Sequence, residues 1–322
     1  MMKFSILGYG HIGRVHKKAI EQTAGAELIS IVDSAFEGEN PGVPVFDSLQ
    51  NFLKTDFQTD VVCIATPNGY HKSHAIACLN AGKHVLIEKP MALNTNDAMQ
   101  ILEAAHKNGK RVFSSMQLRF SPPVRFVKQL LEQNKLGEIY MVNIQCYWNR
   151  NKDYYKQRDW SGSCEMDGGV LFTQFSHFVD IMNFWFEKTS CLHSSFFNFN
   201  HKGVTDFPDS GLLEFNADNA KGSMIFTTSI YQKNYKSSIL LMAEKGTIEI
   251  GDQYLNQVLY CNVQGVEAEE KHSTETKNFH PQAMAEVMAS ITDNRPSVLD
   301  GSHAVRLVEF IDGAHLSGRN LD

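Results

Sequence analysis

The opening of the chain constrains its fold more than any other stretch. Lys3-Phe4-Ser5-Ile6-Leu7 is an apolar run that opens into Gly8-Tyr9-Gly10-His11-Ile12-Gly13. A helical segment follows, and Leu28-Ile29-Ser30-Ile31-Val32 then ends in Asp33, twenty residues past Gly13. Each part has a mechanical reason. Gly8 permits a tight turn off the strand, Gly10 lets backbone approach a pyrophosphate, and Gly13 lets the helix pack closely on the sheet. The helix N-terminus, entered at His11 and Ile12, offers free N–H groups and a positive dipole end to phosphates. Asp33 is placed to accept hydrogen bonds from the adenosine ribose hydroxyls. Ser34 and Ala35 follow it, with no arginine to receive a 2′-phosphate, so the unit reads as binding NAD rather than NADP.

Composition bounds what remains. A chain of 322 residues has room for two domains of usual size. With 43% hydrophobic and 20% charged residues it reads as a soluble globular protein. A net charge of −6 without a basic stripe argues against nucleic acid as a partner. Cys63, Cys78, Cys146, Cys164, Cys191 and Cys261 are scattered without a C-x-x-C pair, so neither a metal site nor a disulfide framework is expected. The first strand begins almost at Met1 and no apolar stretch approaches eighteen residues, which predicts neither leader nor membrane span and places the protein in the cytoplasm.

The N-terminal third keeps a βαβ rhythm. Residues 36–44 read as loop, and Ser48 to Lys54 as a short helix capped by Asp47 or Ser48. Val61 to Ala65 is a buried parallel strand by its continuous β-branched character. Thr66-Pro67-Asn68-Gly69 turns into a helix from about His71 to Ala81, and His84 to Ile87 is the next strand. A helix capped by Asn94 or Thr95 runs to about Asn108, and Arg111 to Met116 closes the alternation, an α/β doubly wound sheet for which six strands are expected. Near Gln117 the pattern changes to long period-two runs: 139–148, 192–200, 211–215, 222–230, 237–243, 246–250 and 257–263. These predict an α+β domain with an open, largely antiparallel sheet covered on one face. Helices are expected at Val124 to Gln133, Phe172 to Phe186, Pro281 to Thr292 and Ser302 to Ser317. The domains divide as 1–118 and 119–322.

Three constellations can carry chemistry. Glu88-Lys89-Pro90 sits at the end of a parallel strand, where open α/β sheets place ligands. A partly desolvated lysine there can hold a substrate hydroxyl or move a proton, and a surface lysine closing a loop is equally compatible. Thr173, His177 and Asp180 fall at helical spacing after Gly168-Gly169 and should share one face, with His177 either a proton carrier or a satisfied structural histidine. Tyr147-Trp148-Asn149-Arg150, Tyr154-Tyr155 and Trp160 interleave aromatic rings with Arg150, Lys152, Lys156 and Arg158. That mixture suits a planar ring plus a carboxylate or phosphate, or a solvated hairpin rim.

Taken together, Gly8 through Gly13, Ala81-Gly82-Lys83-His84-Val85-Leu86-Ile87-Glu88-Lys89-Pro90, and Gly168-Gly169 through His177 and Asp180 resemble the glucose–fructose oxidoreductase/inositol dehydrogenase (Gfo/Idh/MocA) family over nearly the whole chain. The resemblance implies a Rossmann domain followed by an open-sheet α/β domain, assembled into homodimers or homotetramers through that sheet. It implies that Lys89 and His177 are the catalytic pair, with Thr173 beside them. It also implies that Thr66, Pro67, Asn68 and His71 lie along the cofactor, with Glu88, Lys89 and Gln117 counted among its contacts. Within the family, Trp148-Asn149-Arg150, Tyr154-Tyr155, Trp160, Asp167-Gly168-Gly169 and Gln174 look most like the 3-dehydrogenases of UDP-N-acetylglucosaminuronic acid, which prepare 3-amino sugars for surface polysaccharide. Thr173 stands where the family commonly has an acid or asparagine, and Ser161 where that subgroup commonly has arginine.

The function expected from the sequence is therefore NAD-dependent oxidation of a secondary sugar hydroxyl, at C3 of a UDP-linked N-acetylamino sugar uronate. Lys89 would steady the developing alkoxide and His177 would take the proton. The substrate's anionic groups would be gripped by Arg119, Arg150, Lys152 or Arg158. Two alternatives remain at this stage: an oxidoreductase acting on a free sugar, inositol or small carbonyl compound, and an NAD-binding sensor without catalysis.

Overall fold

The computed structural model describes residues 1–37, 41–55, 58–266 and 272–320, the side chains of 319 and 320 excepted. The chain divides into two units, Met1–Gln117 with His280–Val308, and Leu118–Phe279 with Glu309–Asp322.

In the first unit the apolar runs become strands of one parallel sheet. In chain order the elements are β1 (Met2–Leu7), α1 (His11–Gln22), β2 (Ala26–Val32), β3 (Val45–Phe46), α2 (Leu49–Leu53), β4 (Val61–Ile64), α3 (His71–Asn80), β5 (His84–Ile87), α4 (Thr95–Lys107) and β6 (Val112–Ser114). The sheet order is β3-β2-β1-β4-β5-β6, that of a dinucleotide-binding fold, in which the order reverses between β1 and β4 and opens a crevice at the strands' C-terminal ends. Central strands covered on both faces are apolar throughout, as in β4, whose Val61, Val62, Cys63 and Ile64 are wholly buried. The caps follow side-chain chemistry: the Ser48 hydroxyl accepts from Asn51 N–H and the Asn94 carbonyl from Asp97 N–H. The sixth strand is β3, two residues long and too short to show a period.

The C-terminal tail, which the sequence put wholly in the second unit, is divided: His280–Val308 belongs to the first unit and Glu309–Asp322 to the second. α9 (His280–Thr292) packs on α1, and the unit boundary falls inside α10 (Gly301–Ser317). Polar ties made by the end of the first unit account for this. Arg111 donates to the carbonyls of Ser290 and Arg295 and pairs with Asp300 at 2.6 Å, while Ser114 N–H donates to Leu299 C=O.

The second unit carries α5 (Pro122–Glu132), β7 (Ile139–Tyr147), α6 (Lys152–Lys156), α7 (Val170–Thr173), α8 (Ser176–Trp185), β8 (Thr189–Phe197), β9 (Ser210–Ala217), β10 (Ala220–Thr227), β11 (Lys236–Ala243), β12 (Gly246–Gly251), β13 (Gln257–Val263) and a last short strand, β14 (Gly318–Asn320). Its eight strands run in the order β13-β12-β11-β7-β10-β9-β8-β14. All pairs are antiparallel except β7 with β10 and β8 with β14. Side chains alternate as the pattern predicts. Val142, Ile144 and Cys146 of β7 and Met224 and Phe226 of β10 point into the core, which Trp185 of α8 and Phe310 of α10 help to fill. The opposite face leaves Met141, Leu212 and Ile225 exposed, and Leu212 and Ile225 are direct cross-strand partners.

One expected element is broken. The run 172–186 is two helices, because the N–H groups of both Gln174 and Phe175 reach back to Val170 C=O and end α7 before α8 begins. Thr173 and His177 therefore lie on separate helices and share no helical face, whereas His177 and Asp180 both belong to α8.

Candidate active site

In the first unit the glycine loop has the shape its sequence implies. Gly8 sits at φ +91°, and a Cβ there would come within 2.7 Å of Ala65 O, so only glycine makes this turn. A Cβ on Gly13 would lie 2.2 Å from Gly8 O, which explains the close seat of α1 on the sheet. Gly10 faces open space, and no side chain caps α1. An uncapped helix N-terminus beside an open backbone fits a pyrophosphate. At the end of β2, the Asp33 carboxylate accepts hydrogen bonds from Tyr9 N–H and from Ala35 N–H, the latter at 2.8 Å. Each oxygen keeps a lone pair for a ribose hydroxyl. Arg14 lies over the Tyr9 ring, and Tyr9 stacks on Phe36. Gln117 contributes a buried Oε1 that no group of the described residues donates to.

These residues fit NAD, which would supply a hydride acceptor. The Asp33 carboxylate would repel a 2′-phosphate, so NAD(H) should bind at least about tenfold more tightly than NADP(H), roughly 1.4 kcal/mol. Calorimetric titration with both cofactors checks this, and equal or tighter binding of NADPH contradicts it.

Two residues expected along the cofactor turn inward instead. His71 is fully buried, with its ring nitrogens each 2.8 Å from a backbone carbonyl, those of Pro90 and Thr66. It ties the Thr66 turn to the loop after Lys89. Glu88 is also buried. His16 of α1 donates to its Oε1 at 2.8 Å, and His280 lies 3.9 Å away. Burial opposes ionisation of Glu88, but the hydrogen bond and charge of His16 hold its carboxyl well below the usual range. Lys89 itself is half-buried, and the Lys89–Pro90 bond is cis. Thr66 Oγ1 lies 3.0 Å from His74 Nδ1, and Asn68 is buried at the head of the turn before α3.

These contacts have a consequence for acid stability. Burial lowers the pKa of His71, His74, His84, His280 and His315, to about 4 for His74, His84 and His280. A histidine whose folded pKa is depressed binds protons more readily in the unfolded chain, so stability falls as pH drops from 6.5 towards 4. Glu88 and Asp209, both depressed, add losses of the same sign at lower pH. The melting temperature should decline steadily from pH 7 to pH 4.5, and a flat or rising profile contradicts this.

In the second unit the chemistry gathers around Arg150, just past β7. Its guanidinium lies over the Trp148 and Tyr154 rings, 4.8 and 5.1 Å from their centroids. Nε donates to Gln174 Oε1 at 2.6 Å, and Nη1 donates to Asn149 O at 2.7 Å and Asn234 Oδ1 at 3.2 Å. Gln174 in turn donates to the Tyr154 hydroxyl. Every one of these partners is neutral. Arg119, the other arginine expected to hold substrate, is the opposite case. It is 1% exposed and forks onto both oxygens of Asp180, at 3.0 and 2.6 Å. Its fork is spent inside the fold, which removes it from the ligand-holding set.

Other expected contacts sort in the same way. Trp148 is core, its Nε1 donating to Ser237 Oγ, and it serves Arg150 as a floor. Tyr155 is buried edge-on against His201. Asn149 donates to Ile230 C=O, and Trp160 lies half-buried under Arg158. Thr173 donates to the main-chain oxygen and the carboxylate of Asp167. His177, in the first turn of α8, is half-buried.

Comparison with known proteins agrees with both units. Residues 2–116 match the oxidoreductase family with an NAD-binding Rossmann fold, and residues 124–249 match the GFO/IDH/MocA C-terminal domain. This chain belongs to the Gfo/Idh/MocA oxidoreductase family. Among solved structures, this family member is similar to the WlbA dehydrogenase of Bordetella pertussis in complex with NADH and UDP-GlcNAcA. The TM-score is 0.91 at 27% identity, covering 98% of this chain and 95% of that one. The WlbA dehydrogenase of Chromobacterium violaceum, also in complex with NADH and UDP-GlcNAcA, gives 0.90 at 28% identity, covering 98% and 93%. A curated relative, the 1-carboxy-3-chloro-3,4-dihydroxycyclohexa-1,5-diene dehydrogenase of Comamonas testosteroni, is 24% identical over 69% of this chain, and the match spans 61% of the relative's length. No helix among the described residues is long and apolar enough to cross a membrane.

The sequence reading of this Gfo/Idh/MocA protein passed over four side chains: His16 behind Glu88, Asn234 beside Arg150, and the buried pair His201 and Asp209. They sit outside any motif, and only tertiary contact brings each to its partner.

Proposed function

We propose that the chain is an NAD-dependent dehydrogenase oxidising a secondary hydroxyl of a nucleotide-linked sugar acid, at C3 of a UDP-linked N-acetylamino sugar uronate used for surface polysaccharide. The observation that carries the substrate class is Arg150. A partly buried cation whose partners are all neutral has lost hydration without gaining a counter-charge, a costly arrangement that an anionic ligand repairs. A guanidinium presents a planar fork suited to carboxylate or phosphate, and contact with two aromatic rings restricts its movement. The two WlbA structures with UDP-GlcNAcA, which carries both kinds of anion, support the same substrate class.

In this reading Lys89 hydrogen-bonds the reacting hydroxyl and stabilises the developing alkoxide, while His177 removes the proton near neutral pH. Bound NAD accepts the hydride. The glycine loop and Asp33 hold the cofactor, and Arg150 anchors an anionic group of the sugar nucleotide. The six cysteines are free thiols, which fits a reducing cytoplasm. The test is NADH formation followed at 340 nm with UDP-N-acetylglucosaminuronate beside free glucuronate, glucose and inositol. Turnover confined to the UDP-linked acid is the expected result; equal or faster turnover of a free sugar overturns the reading.

Assembly belongs to the same proposal. The exposed face of the second unit's sheet carries Met141 at 48% exposure and Leu212 at 47%. Apolar side chains on a broad sheet face favour association with a second copy. The protein should elute as a homodimer or homotetramer, and light scattering that returns the 36.3 kDa of one chain at micromolar concentration contradicts this.

A further inference from the structure

Arg150 is held by its main chain as well as by its side chain, and the holding groups form a closed circuit. Arg150 N–H donates to Thr228 C=O at 2.8 Å, and Thr228 N–H donates to Asp209 C=O at 2.9 Å. The Asp209 carboxylate accepts from His201 Nδ1 at 2.9 Å, and His201 Nε2 hydrogen-bonds the carbonyl of Arg150, closing the ring. His201 is 0% and Asp209 1% exposed. Three more donors converge on the same carboxylate: Phe199 N–H, Asn200 N–H and the Ser210 hydroxyl, at 3.2, 2.7 and 2.7 Å. Burial works against the charged form of Asp209, yet these donors hold its carboxyl well below the usual range. The Tyr155 ring closes over His201, its centroid 5.2 Å away.

We propose that His201 and Asp209 are positioning residues for Arg150, fixing the backbone from which its guanidinium meets the anionic group of the sugar nucleotide. The inference rests on the anion-holding reading of Arg150. A buried acid–imidazole pair is a costly way to hold a fold together, since apolar residues of similar volume often serve as well. Here the pair ends on the carbonyl of Arg150, whose guanidinium is part-buried and hydrogen-bonded to neutral groups. Fixing both main-chain groups of that residue removes backbone freedom that substrate binding would otherwise have to quench. His201 and Asp209 touch no reacting atom in this account and act through Arg150 alone.

The test is steady-state kinetics with NAD and UDP-N-acetylglucosaminuronate on the whole protein carrying His201→Gln, Asp209→Asn, Arg150→Met, and each of the first two combined with Arg150→Met. His201→Gln and Asp209→Asn should each raise KM for the sugar nucleotide about tenfold, with kcat and the KM for NAD unchanged. In the doubles, KM should be no higher than for Arg150→Met alone, because the pair works only through that side chain. A lowered melting temperature with unchanged KM, or effects that add to Arg150→Met, overturns the inference while leaving Arg150 its role. If Arg150→Met leaves KM unchanged, the anion-holding reading falls and this inference falls with it. Should His201→Gln yield no soluble protein, Asp209→Asn, which keeps the side chain's shape, supplies the same comparison.

Discussion

Lys89→Ala and His177→Ala should each lower turnover by about 10²–10⁴-fold, the usual weight of positioned acid–base groups. Lys89 follows β5 and is half-buried, and the neighbouring Glu88 carboxylate accepts from His16. His177 opens α8, where the imidazole is half-buried rather than sealed in the core. Neither substitution should weaken NAD binding, because the phosphates would rest on Gly8 to Gly13 and the adenosine ribose on Asp33. Thr173→Ala should cost less than either, since the Thr173 hydroxyl is donated to Asp167. Turnover measured with saturating NAD, beside a fluorescence titration of NADH, separates the two effects. Full activity in either alanine variant, or loss of NADH binding in both, contradicts the assignment.

Arg150 and Arg119 should respond in opposite ways to the same substitution. Arg150→Met removes a charge with only neutral partners, so the fold keeps its balance and the substrate loses its anchor. KM for the sugar nucleotide should rise by about 30–150-fold, the 2–3 kcal/mol of hydrogen bonds to a charged group. Arg119→Met instead strands Asp180 as a buried charge without its fork, which costs about 3–5 kcal/mol of stability. Its melting temperature should fall by many degrees, while KM in whatever remains folded stays near that of the parent. A large KM change in Arg119→Met with an unaltered melting temperature would reverse the two roles.

The contrast between these arginines shows where legibility in the sequence ends. The βαβ unit around Gly8 to Asp33 was readable because each residue there answers a local need: a left-handed turn, a close approach, a strand end. Five strands of the first sheet followed from continuous apolar runs, and seven of the second from period-two alternation. Only strands of two or three residues, β3 and β14, escaped, being shorter than the period that would reveal them. The break between α7 and α8 also escaped, because Phe172 to Phe186 is continuously helix-compatible and ends α7 through a backbone bond to Val170. Side-chain pairing is a different matter. Arg119 and Arg150 look alike in sequence, and what separates them is Asp180, sixty-one residues away. His71 and Glu88 were read as facing the cofactor because they lie in its motifs, yet each turns its polar atoms into the fold. His201 and Asp209 carry no motif, and their meaning comes from Thr228 and Arg150 closing the circuit.

The most direct test of the central claim is a crystal structure of the protein with NADH and UDP-N-acetylglucosaminuronate bound. The account predicts a carboxylate or phosphate oxygen of the sugar nucleotide within about 2.7–3.2 Å of an Arg150 guanidinium nitrogen. Arg150 should remain against Trp148 and Tyr154, and Arg119 should remain on Asp180. A bound sugar nucleotide whose anionic groups are all held elsewhere, with Arg150 touching none of them, would contradict it.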